Sequence, residues 1–339
     1  MRNVAVLGAG SWGTALAVHL SHMGHEVQLW ARDPALAADI AARRANAVYL
    51  PDISLPSSVT VTDSLGAAVR DTDLVVSAIP TQGVRSVMRA AARDIRRHAT
   101  VVSATKGIES DTLLRLSEVI AQELGTGRAV VVLSGPSFAV EVARRLPTVV
   151  LAASTSGTAI ELVQAEFRGP YFRLYGSPDV VGVEIGGALK NVIAIAAGVV
   201  EGCGLGHNAL AALITRGLAE ITRLACAAGG QRDTTAGLSG LGDLVLTCTG
   251  ALSRNRHVGI ELAKGRPLGD ILAGMKMIAE GVNTTGAALA LGRRYGVELP
   301  IATQMYAVLE GKSDVRSAVE ALMVRRQKAE TEGTALPDS

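Results

Sequence analysis

Aromatic side chains are scarce in this chain: Trp, Tyr and Phe together make up 3% of 339 residues, although 48% of the residues are hydrophobic. A core with so few rings must be filled by Ala, Val, Leu and Ile, which suits helices and parallel strands. Cysteine is rarer still. Cys203, Cys226 and Cys248 are widely spaced, which excludes a Cys-x-x-Cys motif and a disulfide framework. Buried free thiols in a reducing compartment are expected instead. An excess of one charge is also missing. The net charge of +2 argues against nucleic acid or an anionic membrane as the main partner. No stretch reaches the roughly 18 uncharged apolar residues that a membrane helix needs. The best candidate, 180–200, contains Glu184, Lys190 and Asn191. Arg2 and the apolar residues after it resemble the start of a secretory leader, but Gly8, Gly10 and Ser11 interrupt the run. The expectation is a soluble cytoplasmic protein without a membrane span.

The length suits two domains of about 150 residues each. Residues 3–8, 26–30, 73–80, 100–105, 129–134 and 148–154 are short, apolar and rich in β-branched side chains, as buried parallel strands are. Helical segments are expected at 13–23, 34–45, 83–96 and 110–124. Alternating strands and helices predict a doubly wound parallel sheet over 1–178. Beyond it, 179–200, 208–229, 254–264, 280–295, 301–310 and 314–327 all read as helices, giving an all-helical second domain over 179–328. The polar tail 329–339 is expected to fray. There is no internal repeat.

The first strand runs into "GAGSWG", so that Gly8, Gly10 and Gly13 lie between a strand and a helix. Gly8 permits a tight turn, Gly10 lets backbone approach a pyrophosphate, and Gly13 allows the helix to pack on the strand. The helix N-terminus then faces the negative charge. This is the dinucleotide corner of a Rossmann-type domain. Arg32, just past the second strand, suits the 2′-phosphate of NADP. The adjacent Asp33 either caps the next helix or tolerates NAD. Two other strands end in unusual chemistry, Lys106–Gly107 and Gly135–Pro136–Ser137, where an open parallel sheet places its ligands.

The segment 178–200 is apolar all round and yet carries Lys190. Helical spacing puts Lys190 on a face with Val183, Gly186, Gly187, Ile193, Ala194 and Ala197. A buried ammonium needs a partner or a task, and burial lowers its pKa toward a useful range. Glu184 lies six positions away on another face, so a pair within the helix is not expected. Asp243 follows in a glycine-rich turn. Ser253, Arg254, Asn255 and Arg256 read as a capped helix start, a combination that suits a phosphate dianion. His19, His22 and His25 lack the carboxylate or cysteine that would complete a metal site and are expected at the surface.

Seven motifs in order resemble those of the bacterial NAD(P)-dependent glycerol-3-phosphate dehydrogenases. They are "GAGSWGTALA", "SATKGIE", "GPSFAVEVA", "EIGGALKNVIAIAAGVVEG", "GLGDLVLTC", "SRNRHVG" and "AEGVNTTGAALALGRRYGVELPI", spread over about residues 2–325. The resemblance implies an enzyme that interconverts dihydroxyacetone phosphate and sn-glycerol 3-phosphate, the phospholipid backbone. It implies dinucleotide contacts by Ser11, Trp12, Arg32, Lys106, Ala139, Arg254, Ile278 and Glu280. It implies substrate contacts by Lys106, Gly135, Ser137, Lys190, Asp243, Ser253, Arg254 and Asn255, with Lys190 as proton donor and acceptor. Val140 departs from the lysine common in relatives, and Asp33 from a basic residue. Two other readings stay open: a two-domain dehydrogenase acting on a hydroxy acid or sugar nucleotide, and a dinucleotide-sensing regulator without catalysis. A homodimer is compatible with the sequence.

Overall fold

The computed structural model describes residues 1–125 and 127–326. The tail 329–339 lies outside the described residues. The chain begins with strands β1 (Asn3–Leu7), β2 (Glu26–Trp30), β3 (Ala45–Asn46), β4 (Leu50–Ser54), β5 (Val59–Thr62), β6 (Leu74–Ser77), β7 (Thr100–Ser103), β8 (Val130–Ser134), β9 (Thr148–Ala153) and β10 (Phe172–Ser177). Between them run helices α1 (Ser11–His22), α2 (Pro34–Arg43), α3 (Leu65–Val69), α4 (Val84–Ala91), α5 (Leu116–Leu124), α6 (Ala139–Ala143) and α7 (Gly157–Phe167).

Eight strands form one sheet in the order β10-β9-β8-β7-β6-β1-β2-β5. Successive side chains of β1 feed opposite faces, as a period of two requires. Val4 and Val6 pack with Leu16, Leu20 and Leu29 on one face, while Ala5 and Leu7 pack with Val75, Met88 and Val101 on the other. β1 pairs in parallel with β2 and with β6, so the chain reverses its winding at the end of β1. That crevice is where a doubly wound sheet binds ligands.

The sheet is not wholly parallel. β8 and β9 pair antiparallel, Val132 opposite Ala153. Residues 135–147 link them and contain only the five-residue helix α6. β5 and β10 extend the sheet at its edges, and β3 and β4 form a separate two-stranded ribbon. The helix expected over 110–124 starts only at Leu116, because Ile108 and Arg115 pair in an isolated bridge that holds the preceding chain extended.

Among the described residues no strand follows Ser177. The helices are α8 (Val180–Gly202), α9 (Gly206–Ala227), α10 (Arg232–Ala236), α11 (Asp243–Thr249), α12 (Arg254–Ala263), α13 (Leu268–Ala273), α14 (Glu280–Tyr295), α15 (Pro300–Leu309) and α16 (Val315–Met323), with a π-helical turn at Leu238–Gly242. Asp179 caps α8 by accepting from the Gly182 amide at 2.8 Å. α8 is long and apolar enough to cross a membrane, but its apolar window is 89% buried inside the protein. It is the core helix around which the others pack. α12 crosses it with backbone against backbone: a Cβ at Gly198 would lie 1.9 Å from the Arg256 carbonyl oxygen, and one at Gly259 would lie 1.9 Å from that of Ile195.

The surface placement expected for the histidines is corrected at two of three positions. His19 is 0% and His25 3% exposed. With so few aromatics, the imidazole of His19 does a core residue's work, packing on Phe167, Tyr171 and Phe172. Its Nε2 lies 2.7 Å from the Phe167 carbonyl and its Nδ1 lies 3.0 Å from the Tyr171 hydroxyl. The three cysteines are free, but only Cys248 is buried; Cys203 is half-buried and Cys226 exposed.

Candidate active site

The glycine corner ends β1 at the winding reversal. Gly8 adopts φ +112°, and a Cβ at Gly13 would lie 1.8 Å from the Gly8 carbonyl oxygen, so neither position admits a side chain. A Cβ at Gly10 would meet nothing within 4 Å: the space in front of the α1 N-terminus is open. Gly10 is the N-cap, and no side chain caps the first-turn amides of Ser11, Trp12 and Gly13. Uncapped amides facing open space at a helix N-terminus fit a pyrophosphate. The Trp12 indole N–H donates to the Ala104 carbonyl at 3.1 Å and ties α1 to the end of β7. Arg32 is exposed just past β2. The Asp33 carboxylate caps α2, accepting from the Ala35 amide at 2.9 Å.

Lys106, after β7, and Lys190, in the middle of α8, meet on one carboxylate. Lys190 Nζ donates to Asp243 Oδ1 at 2.6 Å and Lys106 Nζ donates to Asp243 Oδ2 at 2.7 Å. Asp243 is 1% and Lys190 6% exposed. Lys106 also donates to the Gly135 carbonyl at 2.8 Å, and the Ser137 hydroxyl donates to the same oxygen at 2.9 Å. Burial lowers the Lys190 pKa to about 8; Asp243 opposes this shift, and the like charge of Lys106 reinforces it. For Asp243, burial pushes upward but the two ammonium groups prevail and hold its pKa below the usual range. Cys248, on the same helix as Asp243, has its thiol pushed by burial up to about 12 and stays protonated.

The second polar group lies at the α12 N-terminus. Ser253 is the N-cap, its Oγ accepting from the Arg256 amide at 3.2 Å. Arg254 is exposed and donates to the Ile278 carbonyl at 2.9 Å. Asn255 is buried and partly committed: its Nδ2 donates to Asn191 Oδ1 and its Oδ1 accepts from the Gly281 amide, both at 2.9 Å. Glu280 Oε1 accepts from the Thr81 amide at 3.1 Å, joining α14 to the turn after β6. Ala139 opens α6, and Ile278 is 44% exposed beside Arg254.

Some residues in this region gave no separate signal in the sequence. The Thr247 hydroxyl accepts from Lys190 Nζ at 2.8 Å while donating to the Asp243 carbonyl at 2.6 Å. Its spacing of four from Asp243 on one helix was the available clue. Asn191 is buried next to Lys190 in sequence and reaches Asn255 instead. Glu184 pairs with Arg115, away from Lys190.

The family model described as NAD-dependent glycerol-3-phosphate dehydrogenase N-terminus matches residues 3–160, and the one described as its C-terminus matches residues 179–320. A protein of Koribacter versatilis (strain Ellin345) named glycerol-3-phosphate dehydrogenase [NAD(P)+] is 53% identical over 335 residues, covering 97% of this chain and 99% of the relative. One of the same name from Geobacter sp. (strain M21) is 51% identical over 329 residues, covering 96% and 98%. The crystal structure of glycerol-3-phosphate dehydrogenase from Coxiella burnetii superposes with a TM-score of 0.92 at 37% identity, covering 96% of this chain and 99% of that one. With both halves matched in order and relatives above half identity over nearly the whole length, this chain belongs to the NAD-dependent glycerol-3-phosphate dehydrogenase family.

Proposed function

We propose that the chain interconverts dihydroxyacetone phosphate and sn-glycerol 3-phosphate, with Lys190 as proton donor and acceptor. The observation that carries this reading is the buried Lys190–Asp243–Lys106 cluster beside the winding reversal. The nicotinamide cofactor, when bound, supplies the hydride. Its pyrophosphate belongs at the α1 amides of Ser11, Trp12 and Gly13, and Arg32 is free to meet a 2′-phosphate. Asp33 is committed to its helix cap, which favours NADP without excluding NAD.

As hydride reaches the ketone carbon, negative charge builds on the carbonyl oxygen. Lys190, as ammonium, transfers a proton to that oxygen; in the reverse direction the neutral amine takes it back. Lys106 adds positive potential at the same oxygen. Asp243 and Thr247 hold the Lys190 amine in one orientation. At the α12 N-terminus, donors remain for the phosphate after the internal bonds are counted. Ser253 keeps its hydroxyl proton, Arg254 keeps most of its guanidinium fork, and Asn255 keeps one amide N–H. Holding the phosphate there positions the ketone for attack.

The test is a substrate panel. With NADPH or NADH, dihydroxyacetone phosphate should be reduced and 2-keto acids of similar size should not, followed through the nicotinamide absorbance. Turnover of a keto acid with none of dihydroxyacetone phosphate would overturn the reading.

A further inference from the structure

Glu184 is a buried carboxylate that the chemistry above does not use. It lies on α8, six residues before Lys190, and is 6% exposed. Its partners all belong to the sheet-bearing half. Oε1 accepts from the Ser117 amide at 2.8 Å; Oε2 accepts from the Ser117 hydroxyl at 2.6 Å and from Arg115 Nη1 at 2.8 Å. Burial pushes its pKa upward, against the pull of the Arg115 guanidinium and Ser117. A carboxylate served by a guanidinium, an amide and a hydroxyl at the first turn of α5 is a fixed joint between two elements.

That joint leads to Lys106. Arg115 is bridged to Ile108, two residues beyond Lys106, and the intervening loop is closed by the Glu109 amide donating to Leu114 and the Leu113 amide donating to Glu109. One turn along α8 from Glu184, Gly187 faces the same segment: a Cβ there would lie 3.7 Å from Lys106 Cγ and 2.9 Å from Ser134 Oγ. α8 therefore bears on the Lys106 segment at residues 184 and 187, and Lys190 follows three residues later.

We propose that the Glu184–Arg115–Ser117 latch is a positioning device that sets the separation of Lys190 and Lys106 across Asp243. The proposal rests on the reading of Lys190 as proton donor and acceptor. The charged and titratable groups facing Lys190 are Asp243 and Cys248 from α11 and Lys106 from the end of β7; Arg115 faces Glu184, with Glu118 paired behind it. Loosening the latch lets Lys106 draw away and water enter. Both changes strengthen the hold of Lys190 on its proton.

The test is Glu184→Gln, which keeps the shape and removes the charge. Dihydroxyacetone phosphate reduction is measured across the neutral-to-alkaline range, together with NADPH binding by fluorescence and the thermal midpoint. The expected result is a kcat about tenfold lower. The alkaline limb of the profile should move up by roughly half to one pH unit while the NADPH Kd stays within about twofold. A lower midpoint with the wild-type kcat and limb would make Glu184 a structural residue only and overturn the proposal. Should the Gln variant fail to fold, Ser117→Ala removes one of the three bonds and should shift both readouts in the same direction by less; wild-type values would overturn the proposal equally. Lys190→Ala, assayed alongside, separates the two ideas. If it turns over normally, the role of Lys190 falls; if it is inactive while the latch variants behave as wild type, only the latch falls.

Discussion

A buried ammonium that shares one carboxylate with a second ammonium titrates where a solvated lysine does not. With its pKa lowered to about 8, Lys190 changes its proton occupancy near neutral pH. Ketone reduction uses the protonated form and alcohol oxidation the neutral one. The kcat of reduction should therefore fall above pH 8 while that of oxidation rises, and the two profiles measured on the same preparation should cross in that region. Arg254→Ala removes a charge-assisted phosphate contact and should raise the KM for dihydroxyacetone phosphate roughly 10- to 100-fold; steady-state kinetics check it. At this scale Lys190 was legible because a charge on a wholly apolar helix face violates binary patterning. Thr247 was hidden because a threonine on a helix is ordinary until its partner is known. Asn255 was read as a ligand for substrate alone, whereas half of its hydrogen-bonding capacity joins α12 to α8 and α14.

Elements bring these residues together through close backbone contact. Gly198 and Gly259 let α8 and α12 approach until each backbone touches the other, which puts the α12 N-terminus beside the middle of the core helix, where Asn255 meets Asn191. Gly198→Ala would force a Cβ to within 1.9 Å of the Arg256 carbonyl oxygen. The helices would have to separate, and we expect a loss of about 2–4 kcal/mol, read as a lower urea midpoint with an unchanged slope. The apolar runs of β1, β6, β7 and β8 were legible because strands buried on both faces leave little else for such sequences to be. Direction was not: the run at 148–153 looks alike in either orientation, and the structure pairs it antiparallel with β8. β10 was missed because an edge strand alternates, and Phe172-Arg173-Leu174-Tyr175 lacks the uniform apolarity of the central strands.

On the scale of the whole molecule, the strands from the first half end at a crevice completed by helices from the second. Three carboxylates bridge the halves there: Asp243 to Lys106, Glu184 to Arg115 and Ser117, and the half-buried Glu280 to Thr81. This division was legible in the change from strand-helix alternation to helices alone near residue 178. The side-chain bridges between the halves were not, since each joins residues far apart in sequence, 199 positions for Glu280 and Thr81. At the opposite end of α1 from the crevice, His19 packs into the core as a neutral imidazole. Burial lowers its pKa to about 4, against an opposing pull from the Phe167 carbonyl, so the unfolded chain takes up a proton first as the pH falls. Stability should be fully present above about pH 6.5 and decline toward pH 4, by up to about 3 kcal/mol from this group. Urea unfolding at several pH values should show a flatter acid slope for His19→Gln than for the wild type; equal slopes would assign acid sensitivity to other groups. The account as a whole turns on one amine, and Lys190→Ala tests it most directly. The account predicts that kcat for dihydroxyacetone phosphate reduction falls roughly 10²- to 10⁴-fold while the NADPH Kd is unchanged; a variant that turns over at the wild-type rate would contradict it.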